Sequence, residues 1–163
     1  MRLEYFQLVD RIVALDVDGG TVKTHAKVPP VNTIFEGHFP GHPLMPGVLL
    51  IEAMAQTSCW LIIALTKFER VPFLAAVREA KLRSFVTPGQ DLTISAHMVH
   101  PGSGFTMTRA AIEANGKTVA EADLTFRQSP FPHPRFRKGM EELAANIGFP
   151  GYGQDGGLPG TAA

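Results

Sequence analysis

Cysteine is nearly missing from this chain: of 163 residues only Cys59 is one, so no internal disulfide can form, and no CxxC or Cys/His cluster points to structural zinc. A reducing compartment fits best. An excess of either charge is missing too, since 15 basic residues face 15 acidic ones, and nothing global argues for nucleic acid or an anionic membrane surface as partner. Any charged partner must be met by a local patch. The N-terminus, MRLEYFQLVDRIVALD, lacks the basic, apolar and small-residue regions of a secretory signal, so the expected location is cytoplasmic. Long apolar runs are limited to one, VLLIEAMAQTSCWLIIAL from Val48 to Leu65, which approaches the length needed to cross a bilayer. Glu52 and Gln56 inside it, and polar alternating segments after it, argue against a membrane span. A helix apolar on nearly every side is also what an enclosed core helix looks like.

What is present is a change of period. Arg11–Asp16 and Thr21–Val28 are short β-prone runs joined across Asp18-Gly19-Gly20 as a hairpin, and Pro29-Pro30 ends the second. The stretch 31–47, rich in proline and glycine, reads as an ordered loop without an element of its own. Pro46-Gly47 marks the start of a helix of about twenty residues. Phe73–Arg83, Asp91–Val99, Phe105–Ala114 and Lys117–Arg127 read as strands, with Leu92, Ile94, Ala96 and Met98 on one face and Ala120, Ala122, Leu124 and Phe126 on another. Gly102-Ser103-Gly104 is a turn, and Asn115-Gly116 is the dipeptide most favoured for a type I′ hairpin. The expected domain is α+β over residues 1–128, an antiparallel sheet wrapped around one long central helix. A single small sheet leaves such a helix short of cover, so a dimer at least is expected. Residues 129–163 form a Pro/Gly-rich tail, partly flexible, with a short helix at 138–146.

Glu52 is the one charge in the apolar run, and a buried carboxylate costs several kcal/mol, roughly, unless it is paired or neutral. Taken alone, it is as well explained by a structural pairing as by chemistry. Its surroundings decide. His38-Phe39-Pro40-Gly41, Pro43, Met45-Pro46-Gly47-Val48-Leu49 and Glu52-Ala53-Met54-Ala55-Gln56 together resemble the signature of the Z-type 3-hydroxyacyl-[acyl-carrier-protein] dehydratases, which have the hot-dog fold. Weaker resemblance runs from about Tyr5 to Phe126, through Leu8-Val9-Asp10-Arg11, Ala80-Lys81-Leu82-Arg83 and Pro88-Gly89. The related A-type enzymes carry aspartate where this chain has Glu52. The resemblance implies His38 and Glu52 as catalytic residues, an acid lying across a dimer interface from the histidine, a hexamer built from dimers, and conversion of (3R)-hydroxyacyl-carrier thioesters to trans-2-enoyl thioesters in fatty acid biosynthesis with no cofactor.

The residue chemistry agrees with that implication. Dehydration needs a base for the Cα proton, a proton for the departing hydroxyl, and donors for charge growing on the thioester oxygen. Neutral imidazole suits the first task, and a carboxyl among apolar neighbours favours its protonated form, which suits Glu52 to the second. The helix starting at Gly47 and Val48 offers open backbone N–H groups for the third, and Gly47 N–H also matches the family. Gln56, one turn after Glu52, either orients it or satisfies itself within the dimer. His38 and His42 have an i,i+4 spacing, but Pro40, Gly41 and Pro43 prevent the helix that would aim both at a metal.

Cys59 reads as a small packing residue. Phe35, Phe39, Phe85 and Met54 read as core, some of them as acyl-tunnel lining, while His25, His97, His100 and His133 receive no role. Lys81 and Arg83 belong to a basic run that is ordinarily a solvated face; the resemblance makes them candidates for docking the acidic acyl carrier protein. Two rivals remain: a hot-dog acyl thioesterase that activates water with the helix acid, and a non-catalytic acyl-binding or assembly subunit.

Overall fold

In the computed structural model residues 1–102 and 104–151 are described. The turn centred on Ser103, and the mobility expected of the chain end from Tyr152 on, lie outside the described residues. The alternating segments form strands β1 (Arg11–Asp16), β2 (Thr21–Lys27), β3 (Arg70–Leu82), β4 (Asp91–Pro101), β5 (Phe105–Ala114) and β6 (Lys117–Pro130). Helices are α1 (Thr33–Gly37), α2 (Gly47–Leu65) and α3 (Pro134–Asn146). The strands make one sheet in the order β1-β2-β4-β5-β6-β3, antiparallel at every pairing. This is the hot-dog fold: the sheet curls around α2, whose Ala53, Met54, Leu61 and Ile62 are buried against it.

Alternation explains the inner face. Leu92, Ile94 and Ala96 of β4 and Ala120, Ala122, Leu124 and Phe126 of β6 are buried, and Met98 is half-buried where β4 leaves the helix. Asn115 and Gly116 take φ of 51° and 72°, the positive values that a type I′ turn requires at both positions. Two hydroxyl pairs join α2 to the sheet: Thr24 Oγ1 and Thr57 Oγ1 lie 2.8 Å apart, and Thr108 Oγ1 donates to Ser58 Oγ at 2.9 Å. All four residues are fully buried, so each polar atom finds its partner inside the core.

Three expectations change. The stretch 31–47 is not all loop, because α1 interrupts it; Asn32 caps α1 by accepting from Ile34 N at 3.1 Å, a contact worth about 1 kcal/mol. The helix expected at 138–146 begins at Pro134, where the His133 ring nitrogen Nδ1 accepts from Phe136 N at 3.1 Å, so a histidine given no role is a cap. The described part of the segment after residue 128 is built into the domain. Ala144, Ile147 and Phe149 share a buried cluster with Trp60, Ile63 and Phe68, and Ile12 N donates to Ile147 O at 2.8 Å.

By length and composition α2 could cross a membrane. Here it is the core helix, but one stripe of it is incompletely covered by the described residues: Val48 is 72% exposed, and Glu52, Gln56 and Cys59 are half-buried at successive turns below it. The complete enclosure expected for this helix is therefore not met by the described residues of one chain. Beside the stripe runs β3, bonded among the described strands to β6 alone and so at the sheet's edge, with Phe73, Leu74, Val77 and Leu82 exposed.

Candidate active site

His38 caps the C-terminus of α1, where its N–H donates to Ile34 O at 3.0 Å. The following loop is tied back on itself: Phe39 and His42 exchange backbone bonds of 3.1 and 2.9 Å, and Leu44 N donates to His38 O at 2.8 Å. Met45 N then donates to Val86 O at 2.7 Å, and Leu44 and Met45 are buried, so the imidazole rides on an anchored loop. His38 Nδ1 lies 3.0 Å from Leu44 O. A carbonyl oxygen only accepts, so Nδ1 carries the hydrogen, and in the neutral ring Nε2 keeps the free lone pair.

The chain reaches α2 through Pro46, whose carbonyl accepts from Leu49 N and Leu50 N. The N–H groups of Gly47 and Val48 have no acceptor among the described residues, as the first turn of a helix dictates. His38, Gly47 and Leu50 line one cavity of about 590 Å³, with Leu82, Arg83 and Phe85 on its opposite wall. A base and a helix N-terminus thus face the same space. Phe39 (52% exposed) and Phe85 (78%) sit at its mouth rather than in the core, because the loop and the β3–β4 connection hold them outside the sheet; Phe35 alone of the three aromatics is buried.

Glu52 does not line that cavity. Five residues after Gly47 it points to another side of α2, and its carboxylate Oε1 accepts from Gln56 Nε2 at 3.0 Å. Gln56 is itself fixed. Nε2 also donates to Phe6 O at 2.8 Å, and Oε1 accepts from Leu8 N at 3.0 Å, so the backbone of residues 6–8 clamps the side chain that holds the acid. Of the two roles open to Gln56, orientation of Glu52 and self-satisfaction, the geometry supplies both at once. Cys59, one turn on, is no nucleophile: burial first, and Glu52 second, push its thiol up to about 12.

Lys81 and Arg83 are exposed but not free of each other's surroundings. Both reach Glu121 on β6, at 3.9 and 2.5 Å, and the Arg83 hydrogen bond holds the Glu121 carboxyl below its usual range. Missed by sequence reasoning were the Leu44 carbonyl, the backbone clamp at residues 6–8 and Leu82, whose Cδ1 would lie 2.2 Å from a Cβ built on Gly47. None has a local sequence signal, since each contact joins segments distant along the chain or involves main-chain atoms.

A family model described as the FabA-like domain matches residues 2–123. Over 122 residues the chain is 38% identical to the 3-hydroxyacyl-[acyl-carrier-protein] dehydratase FabZ of Fusobacterium nucleatum, covering 74% of this chain and 85% of that protein. It is 34% identical over 122 residues to the enzyme of the same name from Enterococcus faecalis, covering 74% and 86%. Among solved structures, conserved protein PA5202 from Pseudomonas aeruginosa superposes with a TM-score of 0.61 at 21% identity, over 77% of this chain and 91% of that one. A hypothetical thioesterase from Streptococcus pneumoniae with coenzyme A does so with 0.58 at 19%, over 74% and 85%. At such identities these structures speak for the fold alone.

Proposed function

The chain belongs to the FabA-like domain family, and from this membership and the geometry of its cavity we infer how its residues work. It is a 3-hydroxyacyl-[acyl-carrier-protein] dehydratase of fatty acid biosynthesis, removing water from the hydroxyacyl thioester to leave the enoyl thioester. We assign the base to His38, whose unprotonated Nε2 would take the proton from Cα. Glu52 would protonate the hydroxyl leaving from Cβ. The Gly47 and Val48 N–H groups would hold the charge gathering on the thioester oxygen, with the helix dipole in support. One observation carries the scheme: the imidazole and the open end of α2 share a single cavity.

Glu52 lies on the uncovered stripe, so the scheme includes a second copy of the chain. An edge strand with Phe73, Leu74, Val77 and Leu82 exposed is open to pairing, and β3 against β3 would continue the sheet while covering Val48 and bringing Glu52 of one subunit toward the His38 loop of the other. This supports a homodimer with two composite sites; a hexamer would be three such dimers. The reaction asks for no cofactor, and a cytoplasmic setting agrees with a lone, protonated thiol. The direct test is a 3-hydroxyacyl-carrier substrate followed by enoyl absorbance and by mass. Loss of water supports the reading; release of free thiol would make the protein a thioesterase, and tight binding without turnover an acyl-binding subunit.

Two further results are expected. Gly47→Ala should fold normally, because the obstructing Leu82 end is a half-exposed, movable group. The new methyl and the displaced Leu82 would crowd the oxyanion position, and kcat/KM should fall roughly tenfold to a hundredfold. Unchanged kinetics would move the oxyanion site elsewhere. Lys81 and Arg83 are proposed to meet the acyl carrier. Since Glu121 cancels one of their two charges, the steering is modest, and because Arg83 also lines the His38 cavity the variant that separates the two roles is Lys81→Glu, which should lower kcat/KM several-fold on carrier-linked substrate and spare a short carrier-free thioester. Equal loss on both substrates would count against docking.

A further inference from the structure

We propose that α3 sets the acyl chain length this enzyme accepts, by closing the remote end of a cleft whose near end is walled by Gln56, the residue that holds Glu52. The inference rests on the dehydratase reading and concerns a part of the chain beyond it, since the family match ends at residue 123 and α3 starts at Pro134. The cleft, of about 310 Å³, lies at the lower bound of ordinary ligand pockets. Gln56 lines it while holding the Glu52 carboxylate, so one end lies next to the assigned acid. From there it follows α2 past Cys59 and Trp60 to Ile63, a rise of ~10 Å, with Val71 and Phe73 of β3 along its side.

The lining is mostly aliphatic and aromatic, and the Gln56 amide is already consumed by its three bonds. Among the described residues no charged one lines it. A hydrocarbon suits such a space, and in a substrate whose reacting carbons lie at Glu52 the part that would reach it is the methyl-terminal part of the acyl chain. The far wall is Phe136, Met140 and Leu143 of α3, with Met140 and Leu143 packed against the Trp60–Ile63 cluster at the end of the cleft away from Glu52. Met140 is only half-buried, so its size can be changed without opening the core.

The test compares wild type, Met140→Trp and Met140→Ala on short-chain and long-chain 3-hydroxyacyl-carrier substrates. Filling the end of the cleft should lower the long-to-short ratio of kcat/KM roughly tenfold or more in Met140→Trp, and carving it should raise the ratio in Met140→Ala. The ratio within each variant cancels any loss of folded protein. Ratios equal to wild type in both variants overturn the proposal, as does a parallel loss accompanied by a changed oligomeric state in light scattering, which would give the cleft to a second copy. Trp60, the only tryptophan, supplies a readout independent of turnover. In wild type its emission should shift with a saturated long-chain acyl carrier and not with a short one. If the enzyme dehydrates neither length, the dehydratase reading fails; the emission shift then still supports the cleft as an acyl site, and its absence overturns it.

Discussion

Glu52→Gln is expected to lower kcat on hydroxyacyl-carrier substrate by roughly 10³-fold or more while the protein keeps its fold and its KM changes little. Glutamine matches glutamate in shape, and its carbonyl oxygen can still accept from Gln56 Nε2, so the clamp running back to Phe6 and Leu8 stays intact. What vanishes is the one proton the carboxyl can give to a leaving hydroxyl. Removing a positioned acid costs the chemical step and not the binding step, so the loss should appear in kcat. Circular dichroism and a melting curve close to wild type would show that folding is not the cause. Turnover near wild type would exclude Glu52 as the acid.

His38→Ala should be as inactive, and the more telling result comes from mixing the two. If each site takes its base from one subunit and its acid from another, a dimer of one His38→Ala chain and one Glu52→Gln chain holds one site with both residues intact. Random re-pairing makes half the dimers mixed, so the blend should recover about a quarter of wild-type activity from two dead parents. The expectation follows from where the structure puts these groups: His38 in the cavity with Gly47, Glu52 outside it on the uncovered stripe. No recovery after verified subunit exchange would place both residues in one chain's site and remove the composite scheme.

Much of the fold is legible in the sequence, because the inner faces of β4 and β6 alternate cleanly and Asn115-Gly116 admits one kind of turn. The length of α2 was equally plain from Pro46-Gly47 and the apolar run. The elements that escaped are those whose cause is short or distant. Helix α1 has five residues, too few to show a period, and its signal reduces to Asn32 as a cap. The start of α3 depends on a histidine in the capping role more often taken by Ser, Thr, Asp or Asn. At the site, His38, Gly47 and Glu52 could all be named from the motif. The tautomer of His38 could not, since it is set by the Leu44 carbonyl; only the resemblance, and no local pattern, implied the separation of Glu52 from His38 within one chain.

That separation depends on the rotation of α2 about its own axis. Greasy side chains on nearly every side give a rod little reason to prefer one roll angle over another, since any turn still buries oil against oil. The hydroxyls of Thr57 and Ser58 are different: adjacent on the helix, they can meet Thr24 and Thr108 on separate strands at one setting only. These two small bolts therefore index the axle, and by doing so they aim Glu52 away from its own sheet and toward whatever docks there.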